Sequence, residues 1–295
     1  MKKLKIDLTA GVKTIKVAAD NIVNSRFIGN YRSVFPGRGL EFRDYRAYTP
    51  IDDASMIDWK ATVRSKKTMV KEFEEERNLN IFFLIDASSS MLLGSTQKLK
   101  SEYAAEVVAS LSRTIMEAGD STGFSLFTDK PIKTLRPERG IRQFHILTEI
   151  ITNGDLYGGK FDLEDALKFL FSTLSPGTLV IIVSDFISVS GNWEHYLEIA
   201  SRKFQIIGIM VRDPIDSTLP KIEGEIILSD PFSDNAMLIE PDLIGEQFKK
   251  EVKNEERRIR DTFIKNSSDF LELTTDKYFL EPLISFFKMR EARLR

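Results

Sequence analysis

The stretch that decides the fold is IFFLIDASSSM, residues 81–91. Five apolar residues run without interruption into Asp86, which is typical of a parallel strand that is buried on both faces. Three serines follow within four positions of that acid. A turn needs only one or two small polar residues. Asp86, Ser88 and Ser90 at alternate positions therefore indicate a cluster of side-chain oxygen atoms with a role beyond forming the turn. The stretch therefore predicts a buried strand that ends at a polar site.

The composition narrows the class of protein. The chain has 295 residues, which gives room for one large domain or for one domain with a substantial appendage. Its content of 42% hydrophobic and 29% charged residues is ordinary for a soluble globular protein. A formal net charge of −2 argues against a nucleic-acid binder that works by bulk attraction. The absence of cysteine excludes disulfides, thiolate metal sites and cysteine nucleophiles. No signal-peptide core and no apolar run of about 20 residues occurs, so we expect no membrane span and a cytoplasmic location.

The pattern of apolar residues along the sequence changes close to residue 78. Residues 1–25 carry apolar side chains at roughly helical spacing, and residues 31–77 are rich in aromatic and β-branched residues between the turn-like PGRG and PIDD. We therefore predict an N-terminal helix and a small β-rich appendage over residues 1–77. In the appendage, LEFRDYRAYTP, MIDWKATVRS and KTMVKEFEEE are expected to be extended. A second domain with a C-terminal extension is expected over residues 78–295.

Apolar runs alternate with amphipathic segments through the second domain. This alternation predicts a doubly wound, mostly parallel α/β sheet with right-handed crossovers and helices on both faces. The predicted strands of the sheet are 81–86, 123–128, 131–136, 178–185 and 204–211, of which the second and third form an antiparallel hairpin. The predicted helices are 96–118, 140–152, 162–174, 192–202, 242–266 and 278–293. A further hairpin is expected over 224–241 and a last strand over 270–275.

A second acid stands at an equivalent place, because the strand TLVIIVSD ends at Asp185. In open α/β sheets the usable crevice lies at the carboxyl ends of the strands, where the strand order reverses. If the strands that end at Asp86 and Asp185 flank this point, the two carboxylates meet with the serines between them. Carboxylate and hydroxyl oxygens suit a hard divalent cation such as Mg²⁺ or Mn²⁺. The alternative is that the serines cap the helix that follows.

Asp86-x-Ser88-x-Ser90 after an apolar strand, with Ser184-Asp185 ending a later one, resembles the metal-ion-dependent adhesion site of von Willebrand factor A domains. Upstream, GRGLEFRDYRAYTPIDDASMIDWKATVRSKKTMVKEFEEE resembles the segment that precedes the A domain in domain-of-unknown-function family 58. The resemblance implies a von Willebrand factor A or Rossmann-like fold. It also implies a metal site at the two acids and two serines. Such proteins are bacterial or archaeal and typically encoded beside MoxR-type AAA+ ATPases.

The sequence departs from the adhesion-site pattern at Lys160. In YGGKFDLEDAL this lysine follows a Gly-Gly pair, where the family has a threonine that binds the metal directly. An ammonium group repels a cation and can itself pair with either site carboxylate. Asp155 and Asp162 in the same loop are possible replacement ligands. We therefore expect metal to bind only if the side chain of Lys160 turns away from the cluster.

Three classes of enzyme can be tested against the residues. A haloacid-dehalogenase-type phosphatase needs a second acid two residues after the first, and position 88 is a serine. A phosphate-loop nucleotidase needs G-x-x-x-x-G-K-[ST], which the sequence lacks. A serine hydrolase needs the pentapeptide G-x-S-x-G on a turn from a strand to a helix; the single match, GDSTG at residues 119–123, instead joins a predicted helix to a predicted strand. Metal-assisted hydrolysis by the cluster Asp86, Ser88, Ser90 and Asp185 stays open as an alternative.

The function that we expect is protein binding without catalysis. A cation held by neutral hydroxyls and water-bridged carboxylates keeps enough positive charge to accept a carboxylate from a partner. The resemblance then implies a partner or substrate adaptor of a MoxR-type AAA+ ATPase, which helps to assemble or mature complexes that contain an unidentified client protein. The remaining alternative is a structural subunit whose metal site has decayed, and Lys160 favours it.

Overall fold

A computed structural model describes residues 39–50, 52–76, 79–220, 224–229, 232 and 235–294. The helix predicted over residues 1–25 lies outside these ranges. The chain divides into two compact units, which are Phe35–Leu79 and a larger unit that contains the chain from Asn80 onward. The division falls directly before the apolar strand that ends at Asp86.

The smaller unit is built on two antiparallel strands. Strand β1 (Gly39–Ala47) pairs along its length with β2 (Met69–Glu76). Between them lie a single 3-10 turn, Ala54–Met56, and a short helix, α1 (Trp59–Ser65). The predicted β-rich character of this segment is confirmed.

The prediction that MIDWKATVRS is extended is wrong from Trp59 onward, because Trp59–Ser65 is helical. Asp58 caps this helix, since its carboxylate accepts the amides of Lys60 at 2.9 Å and Ala61 at 3.1 Å. Lys66 ends the helix in the left-handed region, at φ 57°. The β-branched and aromatic content of the segment indicated a strand, but the acid at the cap position starts a helix instead.

Strands and helices alternate through the larger unit. Its strands are β3 (Asn80–Asp86), β4 (Ser121–Phe127), β5 (Pro131–Glu138), β6 (Leu179–Ser184), β7 (Gln205–Arg212), β8 (Ile226–Ser229), β9 (Ala236–Ile239) and β10 (Asp269–Thr274). Its helices are α2 (Lys100–Glu117), α3 (Ile141–Ile151), α4 (Leu163–Thr173), α5 (Trp193–Lys203), α6 (Pro214–Ser217), α7 (Pro241–Lys265) and α8 (Leu280–Leu294). Strands β8 and β9 form the predicted separate hairpin.

The other six strands form one sheet in the order β10-β7-β6-β3-β4-β5. Every neighbouring pair is parallel except β4 and β5, which form the predicted antiparallel hairpin. Counted along the chain, this is the 3-2-1-4-5-6 arrangement, whose switch point lies between the first and fourth strands. These strands are β3 and β6, and they pair directly, with Ile85 opposite Val183. The predicted doubly wound, mostly parallel sheet is confirmed.

The central strands are buried on both faces. On one face, Phe82 and Leu84 of β3 pack in a cluster with Trp193 of α5 and Phe263 of α7. The alternate residues of β3 point to the opposite face and are also buried. Because helices cover the sheet on both sides, only the ends of the central strands are left for a binding site.

Two details differ from the prediction. The sheet has a sixth strand, because β10 pairs in parallel with β7 at the edge of the sheet. Helix α2 begins at Lys100, four residues later than predicted. The amide of Ser95 bonds to Asp213 at 3.0 Å, and this contact holds the preceding loop away from a helical path. As a result, Lys100 is the first residue of the helix.

Candidate metal and partner-binding site

The two acids that end strands β3 and β6 lie at the switch point of the sheet. Asp86 is the last residue of β3, and Asp185 directly follows β6. Because these strands are neighbours in register, their carboxyl ends meet at the same edge, as predicted. Each acid has only 1% of its surface exposed. Two carboxylates are thus buried side by side at the crevice of the fold.

Neutral donors surround the carboxylate of Asp86. Its Oδ1 accepts the amide of Ser88 at 2.8 Å, and its Oδ2 accepts the hydroxyl of Ser184 at 2.5 Å. Burial and the negative charge of Asp185 nevertheless raise the pKa of Asp86 to about 7. Without a cation beside it, this carboxyl group therefore takes up a proton far more readily than an ordinary aspartate does.

The serines gather oxygens beside this acid. The hydroxyls of Ser88 and Ser90 lie 3.0 Å apart and are hydrogen-bonded to each other. Ser88 precedes a 3-10 turn, Ser89–Leu92, but its side chain makes no capping hydrogen bond to that turn. The hydroxyl of Ser88 therefore does not cap this turn, which was the alternative role for the serine. Both serines are at most 1% exposed.

A glycine loop lies across the turn that carries the serines. The amide of Gly158 donates to the carbonyl of Ala87 at 2.7 Å, and the amide of Ser89 donates to the carbonyl of Gly159 at 2.9 Å. Gly159 has φ 75°, a conformation that glycine adopts without strain. In the same loop Tyr157 donates its hydroxyl to the carbonyl of Ile151 at 2.7 Å. Burial, with a smaller effect from the charge of Asp86, raises the pKa of Tyr157.

Lys160 and the two possible replacement acids lie outside this cluster. Lys160 is exposed, and its ammonium nitrogen is 5.9 Å from the ring centroid of Phe232. Asp162 caps helix α4, since its Oδ1 accepts the amide of Asp165 at 2.9 Å. Asp155 is exposed in a 3-10 turn. Among the ion pairs of the described residues, none joins Lys160 to Asp86 or Asp185, whereas Asp185 is paired with Lys100.

An open cleft of about 600 Å³ lies beside the switch point. Its lining includes Lys160, Asp162, Ser188, Ser190 and Phe232. A larger cleft of about 800 Å³ lies between α5 and the end of α7 and contains none of the predicted site residues. The lining of the smaller cleft contains Lys160 and Asp162 but none of the four predicted ligands Asp86, Ser88, Ser90 and Asp185.

Lys100 is the residue that sequence reasoning missed. Its ammonium nitrogen lies 2.7 Å from Oδ2 of Asp185, and 3.0 and 2.9 Å from Oδ1 and Oδ2 of Asp216. The side chain has no exposed surface. A signal was present, because Lys100 stands four residues before Ala104 and so falls on the face of α2 that was predicted to be apolar. A lysine on that face has to find a carboxylate.

A second group of polar side chains holds Asp216 in place. The carboxylate of Asp213 accepts the hydroxyl of Thr275 at 2.7 Å, the amide of Ile215 at 3.1 Å and both the amide and hydroxyl of Ser95. Burial acts to raise the pKa of Asp213, but these hydrogen bonds outweigh it, and the pKa is lowered. Asp216 in turn accepts the amide of Asp213 at 2.8 Å. The loop after β7 is thereby fixed, with Asp216 facing Lys100.

The backbone after β6 is strained. Phe186 and Ser188 have φ values of 52° and 58°, in the left-handed region that bulky residues avoid. Phe186 donates its amide to the hydroxyl of Ser184 at 2.9 Å, and Ile187 donates its amide to Oδ1 of Asp185 at 2.9 Å. Such strain persists only where the surroundings determine the conformation, and it clusters at functional sites. Here it fixes the direction of Asp185.

Comparison with known proteins places this arrangement in a family. Residues 44–259 match the model of the family described as "Protein of unknown function DUF58". The chain belongs to this family. The match includes both strands of the switch point, the serine turn and most of the smaller unit. It therefore confirms the family that the sequence motifs indicated.

Relatives of this DUF58 chain match it over very different shares of its length. An uncharacterized protein of Mycobacterium tuberculosis is 25% identical over 288 residues, which are 96% of this chain and 90% of the relative. The uncharacterized protein YeaD of Bacillus subtilis is 32% identical over 80 residues, which are 27% of this chain and 18% of YeaD. The names of these relatives assign no activity.

Solved structures that can be superposed on this DUF58 protein have low sequence identity to it. BatB from Bacteroides thetaiotaomicron is 13% identical, with a TM-score of 0.49 over 73% of this chain and 100% of BatB. The von Willebrand factor A domain of SpRpn10 is 13% identical, with a TM-score of 0.41 over 70% of this chain and 94% of that domain. In the part of this chain that the structure describes, no helix is long and apolar enough to cross a membrane.

The donor set fits a hard cation through oxygen atoms alone. Within the described ranges, no group of three or more His, Cys, Asp or Glu side chains could hold a metal ion. The oxygen atoms that this site would offer to a cation are the hydroxyls of Ser88 and Ser90 and the carboxylate of Asp86. Oxygen ligands of this kind suit Mg²⁺ or Mn²⁺. Asp185, the fourth predicted ligand, forms an ion pair with Lys100 instead of being available to a cation.

Proposed function

We propose that this DUF58 protein is a non-enzymatic binding module that serves as a partner or substrate adaptor of a MoxR-type AAA+ ATPase. In this proposal the chain helps to assemble or mature complexes that contain a client protein. It binds through a Mg²⁺ or Mn²⁺ ion at Asp86, Ser88 and Ser90, beside Asp185. The observation that carries the proposal is the 3.0 Å approach of the two serine hydroxyls beside Asp86, at the switch point of the sheet.

The chemistry of these ligands favours capture of a partner carboxylate. Serine hydroxyls are neutral, so a divalent cation held by them and by one carboxylate keeps a net positive charge. An Asp or Glu side chain of another protein can then complete the coordination from the cleft beside Ser188 and Ser190. This supports a protein as the ligand, because proteins present such carboxylates on their surfaces.

The same residues offer little to a catalytic mechanism. The hydroxyl of Ser88 bonds to that of Ser90 and to the carboxylate of Asp86, and in this proposal all three groups are taken up by the cation, so none is left to act as nucleophile or base. His145 lies on α3 and His195 on α5, and neither belongs to the cluster. Binding without chemistry is therefore the function that these contacts support best.

A second candidate is a structural subunit that works without a metal. The observation that favours it is the ion pair between Lys100 and Asp185, since an internal ammonium can replace a bound cation. The two candidates differ in one measurable property, which is the dependence of partner capture on a divalent ion.

Pull-down from the source organism tests the proposal. The full chain is used as bait in Mg²⁺ and in EDTA, and mass spectrometry identifies the captured proteins, including the MoxR-type ATPase. We expect capture in Mg²⁺, its loss in EDTA, and its loss in the variant Ser88→Ala/Ser90→Ala. Ser172→Ala is the matched control, because Ser172 is exposed on α4 and bonds only to the carbonyl of Phe169. Capture that survives both EDTA and the double substitution would favour the structural subunit.

A further inference from the structure

Lys100 is buried between two acids that come from different strand ends. Its ammonium group contacts Asp185, which follows β6, and Asp216, in the turn that follows β7. The exposed fractions of the three side chains are 0% for Lys100, 1% for Asp185 and 6% for Asp216. The three groups together carry a net charge of −1, and solvent does not screen them.

The position of Lys100 indicates that its pairing has a purpose beyond helix stability. As the first residue of α2, it places a positive charge at the positive end of the helix dipole. Burial also disfavours an ammonium group. Both effects oppose Lys100, so it persists only because the two carboxylates compensate for them.

The pairing changes what Asp185 can offer to a cation. Its Oδ1 accepts the amide of Ile187, and its Oδ2 faces the ammonium group of Lys100. By contrast, the hydrogen bonds that the described residues make to the carboxylate of Asp86 come from neutral donors, which are the amide and hydroxyl of Ser88 and the hydroxyl of Ser184. A neutral donor leaves the second lone pair of a carboxylate oxygen open to a cation, whereas an ammonium group in direct contact repels it.

We infer that Lys100 withholds Asp185 from the cation of the candidate site and is thereby the residue that sets its metal affinity. Asp86, Ser88 and Ser90 bind the ion, and Asp185 serves as the counter-ion of Lys100. The site keeps more positive charge for a partner carboxylate than two free acids would allow. The inference rests on the proposed function, because it concerns the same cation.

A direct binding measurement separates this inference from the partner proposal. The full chain is titrated with Mn²⁺, and the free ion is followed by electron paramagnetic resonance, with no ATPase present. The variants are Asp86→Asn, Asp185→Asn, the pair Lys100→Met/Asp216→Asn, and that pair combined with Asp185→Asn. The pair removes one positive and one negative charge together, so it frees Asp185 without changing the net charge of the buried group.

We expect Asp185→Asn to affect Mn²⁺ binding differently in the natural chain and in the Lys100→Met/Asp216→Asn variant. Asp86→Asn weakens Mn²⁺ binding by about 10- to 100-fold or more, while Asp185→Asn alone changes it less than about 3-fold. Lys100→Met/Asp216→Asn strengthens binding by about tenfold or more, and adding Asp185→Asn removes that gain. Thermal melting followed by circular dichroism checks that each variant is folded. If the pair does not fold, Lys100→Gln/Asp216→Asn takes its place, because the amides can still hydrogen-bond to Asp185.

Three other outcomes are decisive. If Asp185→Asn weakens Mn²⁺ binding as much as Asp86→Asn does, Asp185 is a ligand and the inference is wrong. If the natural chain binds no Mn²⁺ but the Lys100 pair does, the ammonium group stands in for the ion. That result supports the inference and removes the metal from the proposed function. If neither binds Mn²⁺, release of Asp185 creates no site, and the inference is overturned.

Discussion

Ser184 donates its hydroxyl to Oδ2 of Asp86 at 2.5 Å and thereby joins the two strands that flank the switch point of the sheet. The same hydroxyl accepts the amide of Phe186, whose backbone is in the left-handed region. One side chain thus holds the acid of β3 and begins the strained turn that directs the acid after β6. The candidate site is built around this contact as much as around the serines of the D-x-S-x-S motif.

We predict that Ser184→Ala destabilises the fold. It leaves the amide of Phe186 without its acceptor and Asp86 without its shortest hydrogen bond, and both groups are buried. Such losses cost about 1–3 kcal/mol in the free energy of unfolding, measured by urea denaturation. Ser172→Ala, at an exposed position on α4, should stay within about 0.5 kcal/mol of the natural chain. Equal effects of the two substitutions would contradict the role of Ser184.

The stability of the metal-free protein should depend on pH through Asp86. Its pKa in the folded protein is raised to about 7 from an ordinary value of 3.8. Between these values the folded protein holds a proton that the unfolded chain has released, so the free energy of unfolding falls as the pH rises. The slope for this single group is at most about 1.4 kcal/mol per pH unit, and the contribution is lost above about pH 7.

Urea denaturation in EDTA between pH 4 and pH 8 measures this slope. Asp86→Asn is the control, because the amide cannot titrate and should flatten the curve relative to the natural chain. If both proteins show the same pH dependence across this interval, Asp86 does not have the raised pKa.

Gly208 on β7 has no room for a side chain. A Cβ atom there would lie 2.7 Å from Phe270 and 2.8 Å from Phe263, whose rings are packed in the core cluster. Gly208→Ala should therefore lower the free energy of unfolding by about 1–3 kcal/mol. Gly245→Ala should instead raise it by up to about 1 kcal/mol, because Gly245 lies within α7 with nothing near its missing Cβ. Thermal melting that shows the same sign for both would contradict this packing.

Lys160→Thr should change little, although it restores the residue of the adhesion-site pattern. Lys160 is exposed and lies against the ring of Phe232, so its charge is largely screened from Asp86. We expect calorimetric titration with Mg²⁺ or Mn²⁺ to show less than about a 3-fold change in affinity, and stability to change by less than about 0.5 kcal/mol. A chain that binds metal only after Lys160→Thr would show that this ammonium, and not that of Lys100, occupies the site.

The sequence by itself determined the order of the elements in the larger unit. Residues 81–86 and 178–185 were predicted as strands because a parallel strand covered on both faces is continuously apolar, and the main helices were predicted from their periodicity. The adjacency of Asp86 and Asp185 was a conditional expectation, because it required their two strands to flank the switch point, and the pairing of β3 with β6 meets that condition. In the smaller unit the same reasoning failed at Trp59–Ser65, where one capping carboxylate outweighed the β propensity of the segment.

Only the tertiary structure decided the charge at the site. Lys100 stands 85 residues before Asp185 and 116 before Asp216 along the chain, and no local pattern joins them. The sequence directed attention to Lys160, because the family motif places a ligand there, yet that side chain lies outside the cluster. Burial, distance and direction set the energy of a charge, and these belong to the folded chain. The two strands that end at the acids could thus be predicted from the sequence. The ammonium group that neutralises Asp185, by contrast, is placed there by the packing of α2.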